Sequence, residues 1–378
     1  MKLAFVTDNG FSEMNGAFFY SGANVQHYAT ATQHFDEIIF VSRRNPYDGS
    51  GGKVDSKHHV RFVNPLTSIR GFFANLKKLD RILEETVVNS DAVMCFGLNG
   101  FFAYKKAKKH NKPVIAYVGG CVYDTLKHMN SLIKRISAPV MMYIIRDMVW
   151  NADFVHYVDQ YLVNRYPTKG QYFVCPSCQV DVQEDTLEFR LEKLEQSADI
   201  ITIGLIGYTH NRIKGVDTAI KALALLGPDY RIQIVGRGDH SWLNDLIMKL
   251  NLRSQIDFLG VLSGRDKVFE WLDTIDLYVQ PSLTEGMPRA TIEAMSRGCP
   301  VVVSDVGGLK NLVDKKYRIR PTDHEELAQK IRELSQNRTE MYQAAVANFE
   351  KAKEFDLTHL NKKRTEFYEM IFNEVQGR

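Results

Sequence analysis

Short hydrophobic runs alternate along the chain with longer stretches whose apolar residues recur at helical spacing. This alternation is typical of parallel sheets whose strands are joined by crossover helices. In the first half it predicts strands at residues 3–7, 38–42, 60–63, 92–96, 114–118, 155–158 and 172–175. Helices are predicted in the same half at residues 23–34, 75–88, 101–110 and 132–151.

The second half repeats the alternation after a charged stretch, residues 183–199. Its predicted strands are residues 200–206, 231–235, 256–259, 277–279 and 301–304, with helices beginning near Gly215, His240, Arg265, Arg289 and Gly308. At 378 residues, the chain is long enough for two domains that each bury a core. We therefore predict a first domain at 1–184, a linker at 185–199, a second domain at 200–355 and a C-terminal helix at 356–378.

Composition narrows the class of protein further. Charged residues make up 25% of the chain and the net charge is +3, so charge gives no indication of nucleic-acid binding. The five cysteines are scattered, which fits a reducing compartment. No apolar run approaches the ~18 residues of a membrane span. We expect a cytoplasmic protein that binds no nucleic acid, with the inner face of the membrane as an alternative location.

The stretch of residues 281–304 carries the clearest chemistry. A loop containing Glu285 follows a predicted strand and leads into a predicted helix that carries Glu293. Both carboxylates can face the crevice at the carboxyl edge of the sheet, where open parallel sheets bind ligands. Backbone N–H groups from Gly286 onward can hold an anion at the helix N-terminus. This combination suits a ligand with hydroxyls and phosphate, such as a sugar nucleotide. The alternative is an ordinary helix entry with one glutamate in solution.

The pattern E-G-x-P, E-A-M-x-x-G-x-P-V-V-x-S and a later G-G in this stretch resembles the retaining glycosyltransferases of family 4. The resemblance is strong over residues 203–313 and rests on pattern alone in the first half. It implies an α/β GT-B fold: two Rossmann-like, doubly wound domains facing a central cleft, with a C-terminal helix that crosses back to the first domain. The first domain would bind the acceptor and the second the nucleotide-sugar donor.

The resemblance also implies roles for individual residues. Lys214 and a second cation would grip the donor diphosphate; Tyr208 stands in the usual place of the arginine, so Arg212 is the candidate. Glu293 would hold the ribose hydroxyls, and Glu285 the donor sugar near its anomeric centre. The implied catalytic residues are therefore Glu285, Lys214 and Arg212. The implied donor-binding residues are Gly22, Gly207, Lys214, Gly236, Leu259, Leu262, Glu285, Gly286, Met287, Pro288 and Glu293.

The first half departs from the family pattern in two places. The paired-glycine loop after the first strand reads Ser21-Gly22, so only Gly22 matches, and Gly16 is a rival candidate. Relatives carry a histidine after the strand at 114–118, where this chain has Gly119 and Gly120. These two glycines and Asp124 are the candidate acceptor contacts. We predict no metal site, since the chain lacks an Asp-x-Asp motif.

These features predict a retaining, metal-independent transferase without a cofactor. It would move a sugar from a UDP-sugar or GDP-sugar to a saccharide or lipid-linked acceptor, in the synthesis of a bacterial surface polysaccharide or glycoconjugate. A sugar-nucleotide epimerase and a non-catalytic, sugar-nucleotide-binding subunit are the alternatives. Residues 101–109 and 129–150 mix apolar and basic positions. We interpret both as helices packed within the protein, with peripheral membrane contact as the alternative.

Overall fold

The computed structural model describes residues 1–20, 34–47, 52–63, 69–129, 131–178, 180–196, 199–262 and 264–377. The chain forms two compact units. Unit 1 contains Met1–Val122, Pro139–Ser177 and Leu360–Arg378, and unit 2 contains Tyr123–Ala138 and Cys178–His359. The predicted helix at residues 23–34 lies, apart from its last residue, outside the described residues.

Unit 1 is built on a sheet with the strands β1 (Lys2–Met14), β2 (Ala17–Tyr20), β3 (Glu37–Arg44), β4 (His59–Val63), β5 (Ala92–Cys95), β6 (Val114–Val118), β7 (Phe154–Tyr157) and β8 (Gln171–Val174). The order is β4-β3-β1-β5-β6-β7-β8, and β2 pairs with β1. All pairings are parallel except that of β2. Strands β5, β6 and β7 are buried throughout, as expected for parallel strands covered on both faces. All strands predicted for this half are present.

The helices within the described part of the first half are α1 (Ile69–Val88), α2 (Gly97–Lys109), α3 (Val122–Lys127), α4 (Leu132–Trp150) and α5 (Gln160–Arg165). The division between the units falls inside α4, at Pro139. None of the helices in the described part of the chain has the length and hydropathy required to cross a membrane.

The segment after the first predicted strand differs from the expected loop. Strand β1 continues to Met14 and forms an antiparallel hairpin with β2. Asn15 and Gly16 form the turn with φ angles of 50° and 75°. Asn-Gly is the preferred pair for a two-residue hairpin turn, because both positions need positive φ. Gly16 is therefore a turn residue, and the hairpin alone explains why a glycine stands at this position.

Unit 2 is built on a second parallel sheet with β9 (Ile201–Ile206), β10 (Tyr230–Val235), β11 (Ile256–Gly260), β12 (Leu277–Gln280), β13 (Val301–Ser304) and β14 (Arg318–Ile319). The strand order is β11-β10-β9-β12-β13-β14. The helices of the second half are α6 (Glu184–Glu195), α7 (Val216–Leu226), α8 (Asn244–Lys249), α9 (Arg265–Thr274), α10 (Arg289–Ser296), α11 (Leu309–Leu312), α12 (His324–Ser335), α13 (Arg338–Ala352) and α14 (Leu357–Gln376). The strands predicted for this half are confirmed; β14 was not predicted.

Two helices of the second half can be compared with the predicted linker and C-terminal helix. Helix α6 occupies the stretch interpreted as a linker, but it packs on α13 within unit 2. Helix α14 leaves unit 2 and belongs to unit 1 from Leu360 onward, which confirms the predicted return of the C-terminal helix. Its Phe367 ring stacks on Phe173 of β8 at 4.6 Å.

Candidate functional site

The candidate site lies at the carboxyl edge of the unit 2 sheet, between β9 and β12. Strand order runs outward from this pair in both directions, so it is the topological switch point of the sheet. Loops that leave adjacent parallel strands on opposite sides open a crevice at such a point, and ligands bind there. The loop after β9 carries Lys214 and the loop after β12 carries Glu285, and the backbone N–H of Leu283 ties them by donating to Ile213 O at 2.8 Å.

Lys214 and Glu285 meet directly at this edge. The ammonium Nζ of Lys214 donates to Glu285 Oε1 at 2.6 Å. The side chains are 24% and 7% exposed, respectively. Two residues that are 71 positions apart in sequence are thereby held in one charge-assisted contact. The other carboxylate oxygen, Oε2, has no hydrogen-bond partner within the described residues.

A buried chain of hydrogen bonds supports Glu285 from below. Ser282 Oγ donates to Glu285 Oε1 at 2.7 Å, and Gln280 Nε2 donates to Ser282 Oγ at 2.9 Å. Tyr278 OH in turn donates to Gln280 Oε1 at 2.6 Å and accepts the N–H of Ile206 at 3.3 Å. Burial raises the pKa of Tyr278 well above its usual value, so its hydroxyl stays a donor. The chain fixes Gln280 and Ser282 in one orientation each.

This chain of hydrogen bonds was not predicted from the sequence, although a signal was present. Tyr278, Gln280 and Ser282 alternate with apolar or proline positions, so their side chains leave β12 and its extension on one face. All three are at most 1% exposed. Polar residues at every second position of an otherwise buried strand must find partners on that face.

Glycines allow the two loops to approach. Gly215 follows Lys214 with φ 70°, and a Cβ there would overlap the carbonyl oxygen of Pro281. Gly307 has φ 44°, and its Cβ would overlap the carbonyl oxygen of Glu285. Any other residue at either position would push apart the loops that hold Lys214 and Glu285.

Glu293 lies on α10, the helix that follows the Glu285 loop. Its side chain is 16% exposed, and Arg289 Nη2 lies 4.0 Å from Oε1. Burial raises the pKa of Glu293 above its usual value, against the opposing effects of Arg289 and Arg265. The side chains of Glu285 and Glu293 are 7% and 16% exposed, so neither glutamate lies in bulk solvent.

The loop between the two glutamates presents backbone donors. Gly286 and Met287 are half-buried, and their N–H groups have no acceptor within the described residues. Pro288 is buried, and α10 begins directly after it at Arg289. Free N–H groups at a helix start are suited to a phosphate or another anion.

Arg212 does not join the Lys214–Glu285 pair. Its guanidinium lies 3.5 Å from Asp217 and 5.7 Å from the centre of the Trp242 ring, and the side chain is 64% exposed. Tyr208, in the usual place of the family arginine, is 50% exposed. Arg212 lines a cavity of about 340 Å³ in unit 2. The other basic residues that line this cavity are Lys127, His128, Arg135 and Lys221. This cluster is not predictable from the sequence pattern, because Lys127 and Arg135 come from the first half of the chain.

The remaining residues predicted to bind the nucleotide-sugar donor lie along the same edge of the unit 2 sheet. Gly207 N–H donates to Val235 O at 2.9 Å, and Gly236 N–H donates to Gly260 O at 2.7 Å, so the loops after β9, β10 and β11 are tied together. Leu259 is 40% exposed and Leu262 is half-buried. His240 stacks on Phe258 with ring centres 3.9 Å apart. This part of the edge offers apolar and aromatic surface of the kind that a nucleotide base contacts.

The residues predicted to bind the acceptor substrate do not belong to one unit. Gly119 and Gly120 follow β6 in unit 1, whereas Asp124 lies on α3 in unit 2. The carbonyl oxygen of Asp124 lies 2.7 Å from His128 Nδ1, the histidine closest in sequence to the position where relatives carry one. Gly22 lies outside the described residues.

Comparisons with known proteins indicate the family and the fold of the chain. The sequence model of the family "Glycosyl transferases group 1" matches residues 183–352, which contain Lys214, Glu285 and Glu293. Protein CapJ of Staphylococcus aureus is 31% identical over 337 residues, which cover 85% of this chain and 83% of CapJ.

Solved structures resemble the whole chain. Sucrose-phosphate synthase from Thermosynechococcus elongatus superposes with a TM-score of 0.73 at 17% identity, over 99% of each chain. Anabaena Alr3699/HepE, solved in complex with UDP and glucose, gives a TM-score of 0.71 at 17% identity over 97% of this chain and 99% of that one. At this level of identity the likeness shows the fold, and it confirms the predicted GT-B architecture.

Proposed function

Because the chain belongs to the group 1 glycosyltransferases, we propose that it is a retaining transferase that uses a UDP-sugar or GDP-sugar donor. The observation that carries this proposal is the 2.6 Å contact between Lys214 and Glu285 at the switch point of unit 2. It places a cation and a carboxylate side by side, where a donor presents a diphosphate next to a sugar. Unit 2 is then the donor-binding domain and unit 1 the acceptor-binding domain.

Lys214 and the Glu285–Pro288 loop would hold the diphosphate. The Lys214 ammonium has three donor hydrogens and uses one on Glu285, so it can also donate to a phosphate oxygen. The N–H groups of Gly286 and Met287 supply further donors at the start of α10. Fixed donors aimed at a leaving diphosphate stabilise the charge that develops as the glycosidic bond to the nucleotide breaks. We propose that this charge is met without a metal ion.

The two glutamates would hold the hydroxyls on either side of the diphosphate. Glu285 Oε2 is available to a hydroxyl of the transferred sugar, and the partly buried Glu293 is available to the ribose. The bond from the sugar to the leaving phosphate breaks while the acceptor oxygen attacks from the same face. The acceptor proton passes to the leaving phosphate, and the attack on the same face gives retention without a protein nucleophile.

Arg212 would act from the neighbouring cavity. With Lys127, Arg135 and Lys221 it forms a cationic surface beside the loop that carries Lys214. Such a surface favours anionic substrates, among them a lipid-linked acceptor that carries phosphate. Gly119, Gly120 and Asp124 are the proposed contacts of the acceptor saccharide. A bacterial surface polysaccharide or glycoconjugate is the setting that the family resemblance predicts.

A thermal-shift panel of UDP-, GDP- and ADP-sugars tests the donor. A ligand present at 100 times its dissociation constant stabilises the folded state by about 2.7 kcal/mol, so the true donor should stand out. Glu285→Gln should reduce the shift, because the amide replaces an acceptor oxygen with a donor. Glu270→Gln, at a side chain that is 64% exposed, is the matched control and should behave like the wild type.

Donor turnover separates the proposal from its alternatives. The wild type should release free nucleotide faster when an acceptor is present, and Glu285→Gln should lose this release. A non-catalytic subunit would bind the donor and release nothing in either protein. An epimerase would release nucleotide at a rate that does not depend on the acceptor. The absence of stabilisation by every nucleotide sugar would contradict the proposal itself.

A further inference from the structure

The switch point of the unit 1 sheet lies between β1 and β5. Strand order runs outward from this pair in both directions, as it does from β9 and β12 in unit 2. The crevice at the carboxyl edge of such a pair is where open α/β sheets bind ligands. The proposed acceptor contacts Gly119, Gly120 and Asp124 follow β6 instead, so the crevice between β1 and β5 has no role assigned so far.

Strand β1 is irregular at this point. Its pairing with β3 shifts register between Val6 and Gly10, so that three residues of β1 lie opposite Ser42 alone. Extra residues of this kind bend a strand and redirect its side chains, and they are frequent beside active sites. Asp8 is the middle one of the three, and its carboxylate reaches the start of α2, the helix that follows β5.

Backbone donors at the start of α2 hold the Asp8 carboxylate in place. Leu98 N–H donates to Asp8 Oδ2 at 2.6 Å, and Asn99 N–H donates to Oδ1 at 3.2 Å. Gly97, with φ 73°, allows this approach, because a Cβ there would overlap Oδ2. A negative charge at a helix start is also stabilised by the helix dipole. The Asp8 side chain is nevertheless 23% exposed, so a ligand can reach it.

Arg43, near the end of β3, lies beside this carboxylate. Its Nη2 is 3.6 Å from Asp8 Oδ1, which is longer than a hydrogen bond, and its side chain is 35% exposed. Within the described residues the Arg43 guanidinium makes no hydrogen bond, and its Nε is buried without an acceptor. The Oδ1 of Asn99, a residue that is 1% exposed, likewise has no donor in the described part of the chain. Buried polar atoms nearly always have partners, so these atoms indicate a place where water or a ligand supplies them.

The spacing of Asp8 and Arg43 suits a hydroxyl group. An oxygen between Asp8 Oδ1 and Arg43 Nη2 can lie within hydrogen-bond distance of both, because these two atoms are 3.6 Å apart. A hydroxyl donates one hydrogen bond and accepts two, so it can donate to the carboxylate and accept from the guanidinium. The pair carries no net charge. It therefore does not favour a phosphate, in contrast to the cationic cavity that Arg212 lines in unit 2.

We propose that Asp8 and Arg43 bind hydroxyl groups of the acceptor saccharide at the switch point of unit 1. One hydroxyl would bridge the two side chains, and the remaining Arg43 donors would face the oxygens next to it. This inference rests on the proposed transferase function and names residues that select its acceptor. A saccharide without the bridging hydroxyl would leave both charged groups without their partner, and sites of this kind reject such analogues strongly.

Saturation-transfer-difference NMR of the full chain tests this site, with the methyl glycosides of glucose, galactose, mannose and N-acetylglucosamine as probes. At least one glycoside should bind the wild type. Arg43→Gln should weaken that binding by about tenfold, the loss expected for a hydrogen bond to a charged group. Arg44→Gln is the matched control on the same strand, since Arg44 is 63% exposed and pairs with Glu13 at 3.0 Å. It should bind the glycoside like the wild type.

Asp8→Asn provides a second test of the same site. The amide oxygen still accepts from the start of α2, but Arg43 becomes an unpaired cation. Glycoside binding should weaken in this variant, and inorganic phosphate should now compete with the glycoside, although it should not compete in the wild type. Phosphate competition in the wild type would show an anion site and would overturn the proposal.

The thermal shift given by the nucleotide sugar separates this site from donor binding, and it should be the same in all four proteins. Equal glycoside binding by Arg43→Gln and the wild type would overturn the proposal. So would the absence of a signal from every glycoside in a wild type that its nucleotide sugar stabilises. If no nucleotide sugar stabilises the protein, the transferase proposal fails, whereas a glycoside signal that depends on Arg43 would still show a saccharide site in unit 1.

Discussion

At the scale of single residues, the position of Glu285 depends on Lys214 and on buried polar groups behind the carboxylate. Ser282 and Lys214 share Oε1, which leaves Oε2 without a hydrogen-bond partner in the described part of the chain. Behind Ser282, the amide of Gln280 has a fixed orientation, because its oxygen accepts from Tyr278 and its nitrogen donates to Ser282. Low dielectric strengthens each bond of such a buried chain. The chain therefore positions the carboxylate, and its members are positioning residues.

Ser282→Ala removes the hydroxyl donor to Glu285 and also an acceptor for Gln280. We expect transfer to slow by about tenfold, because Glu285 loses one of two bonds that orient it and a hydrogen bond of this kind contributes roughly 1–2 kcal/mol. Steady-state kinetics should show the loss in kcat more than in KM. Ser335→Ala, at a half-buried serine on α12, is the control. A loss of folding in Ser282→Ala without a change in kcat per folded molecule would show a purely structural role.

Glu293 gives the site a predicted pH dependence. Its pKa is raised by burial, so the folded state holds the proton to a higher pH than the unfolded chain does. This contribution to stability is full at low pH and is lost as pH rises through the folded pKa. Ribose hydroxyls that donate to the ionised carboxylate favour the opposite state. Donor binding should therefore tighten as pH rises through this range and should release a proton.

Isothermal titration of the donor in two buffers of different ionisation enthalpy measures the proton release. Glu293→Gln should bind more weakly, should release no proton at this step and should lose this part of the pH dependence. Its stability to urea should fall less than that of the wild type between acidic and neutral pH. An unchanged proton release in Glu293→Gln would assign the titration to a different group.

At the scale of elements, α6 is fixed to unit 2 by two cations that cap another helix. Arg190 is fully buried and donates to the carbonyl oxygens of Leu272 and Ile275 at 2.8 and 2.6 Å, at the end of α9. Lys193 Nζ donates to the carbonyl oxygens of Thr274 and Ile275 at 2.6 and 2.8 Å. The last carbonyls of a helix lack partners within it, and positive charge is stabilising there.

Arg190→Met should destabilise the protein by about 3 kcal/mol or more. The substitution keeps much of the side-chain volume but removes the guanidinium donors from the carbonyl oxygens of Leu272 and Arg297, each at a cost of roughly 1–3 kcal/mol. Urea unfolding monitored by circular dichroism measures the loss. Arg253→Met, at an exposed arginine in the same unit, should change stability by less than about 0.5 kcal/mol. A similar small change for both variants would mean that water replaces the guanidinium.

The sequence predicted strands better than it predicted this helix, for a physical reason. Strands such as 114–118 and 301–304 are buried on both faces, so their apolar runs stand out in the sequence. Helix α6 carries many charged residues, and its key buried contact is an arginine, so its composition is that of a linker. The pair Asn15-Gly16 is typical of a hairpin turn, but the segment was interpreted as the glycine loop of the family.

At the scale of the whole molecule, the contact between Lys214 and Glu285 follows from the strand order more directly than the placement of the residues around it. Lys214 and Glu285 follow strands that lie next to each other at the switch point, so their meeting follows from topology once the strand order is known. The position of Arg212 could not be predicted this way, because its partner Asp217 is local and the loop conformation decides it. The contribution of residues 123–138 to unit 2 also had no sequence signal, since the segment follows β6 of unit 1.

The same topology predicts which amides a nucleotide protects. The proposed donor contacts lie on loops at the carboxyl edge of the unit 2 sheet. Binding of UDP or GDP should therefore slow hydrogen exchange in peptides that contain residues 207–215 and 282–289. Peptides from β1, β3 and β5 of unit 1 should exchange at their original rate when nucleotide alone is present. The physical reason is that a ligand which binds the folded loops must be released before they open, so opening becomes rarer by mass action.

Exchange measured by mass spectrometry in the wild type and in Glu285→Gln makes the assignment specific. The variant should show weaker protection at 282–289 at the same sugar-nucleotide concentration, since one of its contacts is lost. With UDP or GDP, which lack the sugar, the two proteins should be protected more nearly alike, because Glu285 is assigned to the sugar. Protection confined to unit 1 would show that the donor binds unit 1, and it would contradict the assignment of donor binding to unit 2. Equal protection of the two proteins by the complete donor would remove Glu285 from the sugar site and leave the diphosphate contacts standing.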